Sequence, residues 1–310
     1  MWDSWFYRHD GQIHIFYLQA RPPDDPAKKH EDRVSIGHAV TDDFVHYTEL
    51  PTALEPGDGS AWDSLALWTG SVIEIGGKYY MVYTGRKNRE SERWIQRIGL
   101  AISDDLINWT KWKYNPVLEA RGRYDMNNGT NALGKIGAWR DPFVFRDGKS
   151  GNYYMTISAR LKGRETEYNA CVAIAQMGMM PDLWDVMHPI FSPGIYDEIE
   201  CTQIIQYRGY NYLFFSTRAT NYKLSFAKKR GSHSGLHCYY SNKLLKGYKP
   251  VNGNGVVCDN GEKMYDIRLI EDRDNEFVAV GWLRTQEGKY SGKLSMPFKL
   301  KIDGDRVYEI

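Results

Sequence analysis

The sequence predicts an all-β protein folded as a single five-bladed β-propeller with a funnel-shaped site at its centre. Strand-length runs of alternating or apolar residues are separated by Gly or Asn turns, and helical periodicity is almost absent. The same order of runs recurs in five units, and four-stranded units that repeat radially form propeller blades. Because these units fill all 310 residues, we expect one propeller domain over residues 1–310.

Each unit is expected to open with the inner strand of a blade. The openings lie near Trp2, Trp68, Trp139, Glu200 and Tyr265. Their spacing of roughly 60 to 70 residues exceeds the ~40 to 50 residues of common propeller repeats, which implies long loops. Turn-rich stretches at 21–26 and 127–130 fit such loops, and loops at the ends of a propeller usually carry substrate selectivity.

The first two units share a clear pattern of strands and turns. Ile-Gly-His-Ala at 36–39 precedes Asp-Asp-Phe-Val-His-Tyr at 42–47, and Ile-Gly-Leu-Ala at 98–101 precedes Asp-Asp-Leu-Ile-Asn-Trp at 104–109. The paired aspartates before an apolar residue and an aromatic predict a turn that starts an outer strand. Both units therefore carry their third and fourth strands in the same order.

The remaining units repeat the first two strands of a blade. Unit three opens with Trp-Arg-Asp-Pro at 139–142, turns at Gly148 and continues with Tyr-Tyr-Met at 153–155. Units four and five turn at Arg-Gly (208–209) and at Asp-Asn (274–275) before their second strands. A Gly or Asn turn between two strand-length runs is typical of a β-hairpin.

Composition excludes several classes of protein. The formal net charge is +1 and long basic runs do not occur, so nothing indicates binding to nucleic acid or to an anionic membrane. Aromatic residues make up 14% of the chain, with 22 Tyr and 10 Trp, which fits β-structure or stacking on sugars. We expect a small-molecule or oligosaccharide substrate, and the sequence does not indicate an oligomeric state.

The cysteines and the chain start bear on metal content and location. The four cysteines are far apart without Cys-x-x-Cys spacing, so neither a zinc site nor a disulfide framework is expected. Metal-ligand spacing is missing elsewhere too, and we expect no metal and no cofactor. No apolar run approaches the ~18 residues of a membrane span. Met1 runs directly into Trp2-Asp3 without a signal peptide, which makes a cytoplasmic location the default expectation.

Three carboxylates stand at blade openings: Asp3, Asp141 and Glu200. The first strand of each blade lines the central channel, so residues at the strand starts gather at one end. Glycoside cleavage needs two carboxyl groups in different protonation states, and a third can bind hydroxyls and raise the pKa of a neighbour. The spacing fits an acid/base site, and turn-capping or surface acids are the alternative. Asp266, at the fifth opening, is either a further funnel acid or half of a salt bridge.

The chain resembles a known group of enzymes. Trp-Asp-Ser-Trp at 2–5 is similar to the nucleophile motif of the levansucrase-type glycoside hydrolases of family 68. The run 36–47, the Trp-Arg-Asp-Pro motif and Glu-Cys at 200–201 are similar to the family 32 invertases and fructanases. This resemblance implies a five-bladed propeller and a retaining mechanism on β-fructofuranosides.

The resemblance also assigns roles to residues. It implies that Asp3 is the nucleophile, Asp141 the transition-state stabiliser and Glu200 the general acid/base. Arg140 would hold ring hydroxyls beside Asp141. The remaining substrate-binding residues that it implies are Trp2, Gln19, Trp68 and Ser71, the last two as walls of the pocket.

The chain departs from the two families in three places. The family 32 Trp-Met-Asn-Asp-Pro-Asn motif is replaced by Trp-Asp-Ser-Trp, and Glu200-Cys201-Thr202 lacks the Arg that family 68 places after its acid. The sequence stops after the fifth unit, so we expect an outlier without the C-terminal β-sandwich of family 32.

Two other functions remain open from the sequence. An inverting arabinofuranosidase or xylosidase that resembles family 43 also places Asp, Asp and Glu at blade starts. A non-catalytic sugar-binding propeller would use the aromatic residues without needing the acids. Three acids in the expected order count against the second of these.

Overall fold

The computed structural model describes residues 1–20, 32–125, 137–162, 168–272, 276–286 and 289–310. Its strands form five antiparallel sheets arranged as a five-bladed β-propeller, which confirms the predicted fold class. The loops predicted at 21–26 and 127–130 and the turn at 274–275 lie outside the described residues.

Blades 1 and 2 follow the chain order from the axis outwards. Blade 1 contains the strands β1 (Trp2–His9), β2 (Gln12–Gln19), β3 (Ser35–Thr41) and β4 (Thr48–Leu54). Blade 2 contains β5 (Ala66–Ile75), β6 (Lys78–Arg86), β7 (Gln96–Ser103) and β8 (Thr110–Lys111), with β9 (Leu118–Glu119) also paired to β7. The predicted paired-aspartate turns join the third and fourth strands, where Asp43 and Asp105 accept backbone N–H groups.

Blades 3 to 5 repeat this order. Blade 3 contains β10 (Trp139–Arg146), β11 (Tyr153–Arg160), β12 (Ala170–Met177) and β13 (Trp184–Val186). Blade 4 contains β14 (Glu200–Tyr207), β15 (Tyr210–Thr217), β16 (Gly235–Ser241) and β17 (Lys249–Pro250), with β18 (Val256–Asp259) on β16. Blade 5 contains β19 (Met264–Glu271), β20 (Phe277–Gln286), β22 (Phe298–Asp303) and β23 (Arg306–Glu309), with β21 (Lys289–Leu294) on β20.

Among the residues that the structure describes, helical structure is confined to loops. One α-helix, α1 (Leu224–Arg230), joins β15 to β16, and short 3-10 turns cover Glu90–Glu92, Ala219–Asn221 and Val251–Gly253. Within the described ranges, every helix falls short of the length and apolarity that a membrane crossing requires.

Five hydrophobic clusters hold the blades together, one at each interface between neighbours. Buried members from the two sides are Phe16 and Met81 for blades 1 and 2, Leu100 and Met155 for blades 2 and 3, Val172 and Phe215 for blades 3 and 4, Phe214 and Leu269 for blades 4 and 5, and Val280 and Ile15 for blades 5 and 1. Each fully buried side chain of this size contributes about 1.5–3 kcal/mol. The blades are therefore stabilised mainly by packing on each other.

Blades 5 and 1 meet in a seam that is closed without a shared strand. In the described part of the chain, each blade is built from one continuous stretch. The Ser4 N–H donates to Asp266 Oδ2 over 2.8 Å, and the Tyr290 hydroxyl donates to the Met1 carbonyl over 2.5 Å. The ring is thus closed by side-chain bonds and the fifth hydrophobic cluster.

Every inner strand carries a β-bulge close to its first residue. The bulged residues are Asp3, Thr69, Asp141, Cys201 and Asp266, which we call the bulge ring. Four of them have positive φ angles, 32° at Asp3, 55° at Asp141, 57° at Cys201 and 43° at Asp266. Such angles are uncommon for residues other than Gly and occur where the surroundings impose them. A bulge re-aims a side chain, so two consecutive residues of each strand can face the axis.

The bulge in blade 2 depends on a glycine, and Gly70→Ala is expected to destabilise the protein. A Cβ atom at Gly70 would lie 2.2 Å from the Val82 carbonyl oxygen on β6, which would push the two strands apart. We expect a loss of about 1–3 kcal/mol in the free energy of unfolding, measured by urea denaturation. Gly59→Ala is the control, because nothing lies within 4 Å of its Cβ position. Equal midpoints for the two variants would contradict this account of the bulge.

Candidate active site

The candidate site lies at the end of the axis where the five inner strands begin, which we call the funnel end. The bulge ring is preceded on each strand by one further residue, and these form the leading ring of Trp2, Trp68, Arg140, Glu200 and Tyr265. Asp3 and Asp141 belong to the bulge ring, whereas Glu200 belongs to the leading ring. The structure therefore brings the three predicted acids to one end of the channel.

Asp141 is the most firmly held of the three acids. Its side chain is buried, and its carboxylate accepts a hydrogen bond from the Thr69 hydroxyl and another from the Cys201 N–H at 2.9 Å. Its own N–H donates to Thr84 Oγ1 over 3.1 Å. Because these donors come from blades 2 and 4, the neighbouring blades fix the orientation of this carboxylate.

Arg140 links the leading ring to a buried network of charges. Its Nη2 donates to Glu198 Oε2 at 2.8 Å and to Glu200 Oε1 at 2.9 Å, while its Nε lies 3.8 Å from Asp141 Oδ2. Glu198 also accepts from Arg160, which bonds Asp197 at 2.9 Å. These bonds hold Arg140 in place from several sides. Removing one partner of such a buried pair would leave the other charge buried and unpaired.

Glu200 is the most accessible acid of this network, with a side chain 23% exposed. Its Oε1 accepts from Arg140, and its Oε2 accepts from the Tyr265 hydroxyl. Burial alone would raise the pKa of Glu200, but the Arg140 charge and these two hydrogen bonds outweigh it and lower the pKa. The Arg218 guanidinium, 5.1 Å from the centre of the Tyr265 ring, adds to this effect.

Asp3 has a different environment. Its Oδ1 is buried and has no hydrogen-bond partner among the described residues, and no ion pair reaches the carboxylate within that part of the chain. Burial, together with the nearby carboxylates of Asp266, Asp141 and Glu200, raises the pKa of Asp3 well above its ordinary value. Asp3 and Glu200 thus have pKa values shifted in opposite directions.

The predicted aromatic residues flank the funnel on the side of blades 1 and 2. Trp2 and Trp68 are half-buried and pack against the cluster between these blades. The Arg86 guanidinium lies 4.4 Å from the centre of the Trp68 ring and 4.8 Å from that of Trp94. This stack fixes the plane of the Trp68 indole.

Ser71 and Gln19 make contacts away from the acids. The Ser71 hydroxyl is buried, donates to the Pro142 carbonyl and accepts from the Val144 N–H, both at 2.9 Å. The Ser71 hydroxyl therefore joins blades 2 and 3. Because both of its hydrogen bonds are made with backbone groups, Ser71 does not form the predicted wall of the pocket. Gln19 lies at the funnel end of β2, where its amide donates to Thr52 Oγ1 over 3.1 Å.

Sequence reasoning missed several residues of the site. Glu198, Tyr265, Arg218 and Thr69 contact the predicted acids or their partners, yet none was among the expected site residues. Aligning the five units at the bulge would have placed Thr69 and Tyr265 in the same columns as Asp3 and Glu200. The sequence predicts that Asp266 is either a funnel acid or half of a salt bridge. Both interpretations apply, because Asp266 belongs to the bulge ring and also pairs with Arg268 at 2.7 Å.

One group in the described ranges combines potential metal ligands. Oxygen or sulfur atoms of Asp3, Cys201 and Asp266 all lie within 4.8 Å of one another. Both oxygens of Asp266 already accept hydrogen bonds, one from Ser4 N–H and one from Arg268 Nε. We therefore assign no metal to this group.

The fold is shared with solved structures of an inulosucrase and of a levansucrase. An inulosucrase from Halalkalicoccus jeotgali bound to kestose superposes with a TM-score of 0.79 at 22% identity, covering 99% of this chain and 86% of that one. The Bacillus subtilis levansucrase gives a TM-score of 0.77 at 19% identity, covering 100% and 85%. At these identities the likeness shows the propeller fold.

Curated relatives share the sequence over part of their length. A fructan 6-exohydrolase from Triticum aestivum is 30% identical over 60% of this chain and 32% of its own length. The sucrose-6-phosphate hydrolase of Escherichia coli is 23% identical over 93% of this chain and 55% of its own length. The chain thus spans about a third to a half of these relatives. A family model described as the glycosyl hydrolases family 32 N-terminal domain matches residues 4–308, and the chain therefore belongs to glycosyl hydrolase family 32.

Proposed function

We propose that this protein is a retaining glycosidase that cleaves β-fructofuranosides. One observation carries the proposal: in a family 32 chain, Asp3, Asp141 and Glu200 begin three inner strands of one propeller and meet at its funnel end. The names of the relatives agree with this substrate class, because fructan 6-exohydrolase, sucrose-6-phosphate hydrolase and inulosucrase all act on fructosides.

In the proposed reaction, Asp3 attacks the anomeric carbon of the fructosyl unit while Glu200 donates a proton to the leaving oxygen. Water, deprotonated by Glu200, then releases the sugar from Asp3. Asp141 accepts hydrogen bonds from ring hydroxyls, which strengthen as the ring gains oxocarbenium character. A second sugar held at the funnel in place of water would give transfer instead of hydrolysis.

The directions of the two pKa shifts favour a proton on Asp3 over a proton on Glu200, because the pKa of Asp3 is raised and that of Glu200 is lowered. The attack requires the opposite order, an ionised Asp3 and a protonated Glu200. We propose that bound substrate reverses this order, because its hydroxyls hydrogen-bond to Asp3 and compete with Glu200 for Arg140 and Tyr265.

Replacement of the acids is expected to abolish sugar release. Glu200→Gln removes the proton donor and should lower kcat/KM on sucrose, inulin or levan by about 10²- to 10⁴-fold. Asp3→Asn removes the nucleophile and should cost at least as much. Fructose release is measured by chromatography. Glu276→Gln is the control, since this exposed acid pairs with Lys299 on the outer part of blade 5.

Other outcomes of this assay distinguish the alternative functions. Arabinose release from an aryl α-L-arabinofuranoside, lost in Glu200→Gln, would keep the acids but replace the fructosidase proposal with a family 43-like activity. Sugar binding that survives in both acid variants, without release from any substrate, would indicate a binding module and would overturn the enzymatic proposal.

Tyr265→Phe is expected to move the acid limb of the pH profile of kcat/KM to higher pH. The Tyr265 hydroxyl donates to the ionised form of Glu200, so its removal raises the pKa of Glu200 and with it the acid limb of the bell-shaped profile. The alkaline limb follows mainly Asp3, whose pKa is the raised one. A shift of about one pH unit is expected from one hydrogen bond to a charged group. Tyr212→Phe, which removes a hydroxyl bonded to the Gly304 carbonyl, should leave the profile in place. An unmoved profile in Tyr265→Phe would contradict the proposed role of Glu200.

A further inference from the structure

The fifth blade contributes a carboxylate that the proposed reaction does not use. Asp266 occupies the bulge of β19, the position that Asp3 occupies in β1 and Asp141 in β10. Its side chain is fully buried, and its carboxylate lies within 4.8 Å of the ligand atoms of Asp3 and Cys201. A third buried acid therefore belongs to the floor of the funnel, directly beside Asp3 in the ring.

Asp266 is bonded to the backbone that carries Asp3. Its Oδ2 accepts the N–H of Ser4, the residue that follows Asp3 in the bulge, at 2.8 Å. Its Oδ1 accepts from Arg268 Nε at 2.7 Å, and Arg268 Nη1 donates to the Thr202 carbonyl at 3.0 Å. Asp266 thus connects the bulge of blade 1, through Arg268, to the inner strand of blade 4.

The charges around Asp3 make this position sensitive. Ionisable groups act on it from four strands: Asp266 on β19, Asp141 on β10, Glu200 and Cys201 on β14, and Tyr290 on β21. The cations Arg268 and Arg140 lie against Asp266 and Asp141. Within the described residues, Arg140 pairs with Glu198 and Glu200 and Arg268 pairs with Asp266, so neither cation bonds Asp3 directly. The Asp266 carboxylate lies within 4.8 Å of Asp3 and opposes its ionisation. The Arg268 charge offsets part of this effect, while burial raises the pKa of Asp266 as well.

We propose that Asp266 is a positioning residue for Asp3: it holds the bulge that presents the Asp3 carboxyl and places a second buried carboxylate beside it. The negative charge of Asp266 opposes a second negative charge on Asp3 and so raises the pH at which Asp3 ionises. The proposal rests on the proposed role of Asp3 as nucleophile, but the ionisation of Asp3 can be measured without any substrate.

The first test follows the Asp3 carboxyl by ¹³C NMR in protein labelled at the aspartate side-chain carboxyl carbons, with Asp3→Asn assigning the signal. In the wild-type protein, the Asp3 midpoint should lie well above the ~3.9 of an ordinary Asp. In Asp266→Asn the midpoint should fall by roughly one to two pH units, since removing a negative charge favours ionised Asp3 and the remaining Arg268 charge acts in the same direction. An ordinary midpoint in the wild type would overturn the proposal without any variant at 266.

Two further variants separate charge from structure. Asp266→Thr is a second neutral replacement, chosen because Thr69 already occupies the same bulge position in blade 2, and it should lower the Asp3 midpoint as Asp266→Asn does. Asp266→Glu keeps the charge and should keep the raised midpoint. Asp147→Asn is the matched control, a buried acid at the far end of β10 whose loss should leave the Asp3 midpoint unchanged. Folded neutral variants with an unmoved Asp3 midpoint would leave Asp266 a structural role only.

The second test uses the pH profile of kcat/KM on a fructoside. The alkaline limb, which follows Asp3, should move to lower pH in Asp266→Asn, whereas Tyr265→Phe moves the acid limb to higher pH. Both limbs should stay in place in Asp147→Asn. A purely structural role for Asp266 predicts a lower kcat with an unmoved profile. If the wild-type protein releases no sugar, the proposed function fails while the NMR titration still decides the role of Asp266.

Discussion

The site depends on one backbone feature, the single extra residue at the start of every inner strand. A regular strand turns alternate side chains to opposite faces, so only every second residue would reach the axis. The bulge lets two consecutive residues face it, and this is how Arg140 and Asp141 act side by side. The same feature lets the backbone N–H of Cys201 hold Asp141 while the preceding Glu200 remains open to the funnel. The geometry comes at the cost of left-handed backbone at four residues, which the packed blades impose.

Electrostatic asymmetry follows from this arrangement. Blades 3 and 4 contribute the cations Arg140 and Arg160. These two arginines form ion pairs with the carboxylates of Asp197, Glu198 and Glu200. On the side of blades 5 and 1, the described residues offer a single buried guanidinium, Arg268, and it is bonded to Asp266. One half of the funnel therefore favours the ionised form of Glu200, and the other half disfavours the ionised form of Asp3. In paired catalytic carboxyls the raised pKa usually belongs to the acid, so the free site has the reverse of the order that the proposed reaction requires.

The sequence predicted the blades because hydrophobic alternation and turn residues are local properties. It predicted the positions of Asp3, Asp141 and Glu200 because the repeat itself aligns the strand starts. It could not predict the function of Ser71, whose hydroxyl is taken by the backbone of a blade about 70 residues away in sequence. Nor could it decide between the two interpretations of Asp266, because the distance to Asp3 depends on how the last blade meets the first. Local sequence patterns therefore do not predict the interactions that cross the interfaces between blades.

The seam between blades 5 and 1 differs mechanically from the other four joints of the propeller. The other four joints are also bridged by the chain itself, whereas this joint is held by packing, by the Tyr290 bond and by the Asp266 bond to Ser4. Asp3 lies on the edge of that joint, next to the residue that closes it. Any widening of this joint would displace Asp3 relative to Glu200 before the intact arc of blades 2 to 4 deforms. The separation of Asp3 and Glu200 therefore depends on the joint at which the described residues of blades 5 and 1 meet through non-covalent contacts.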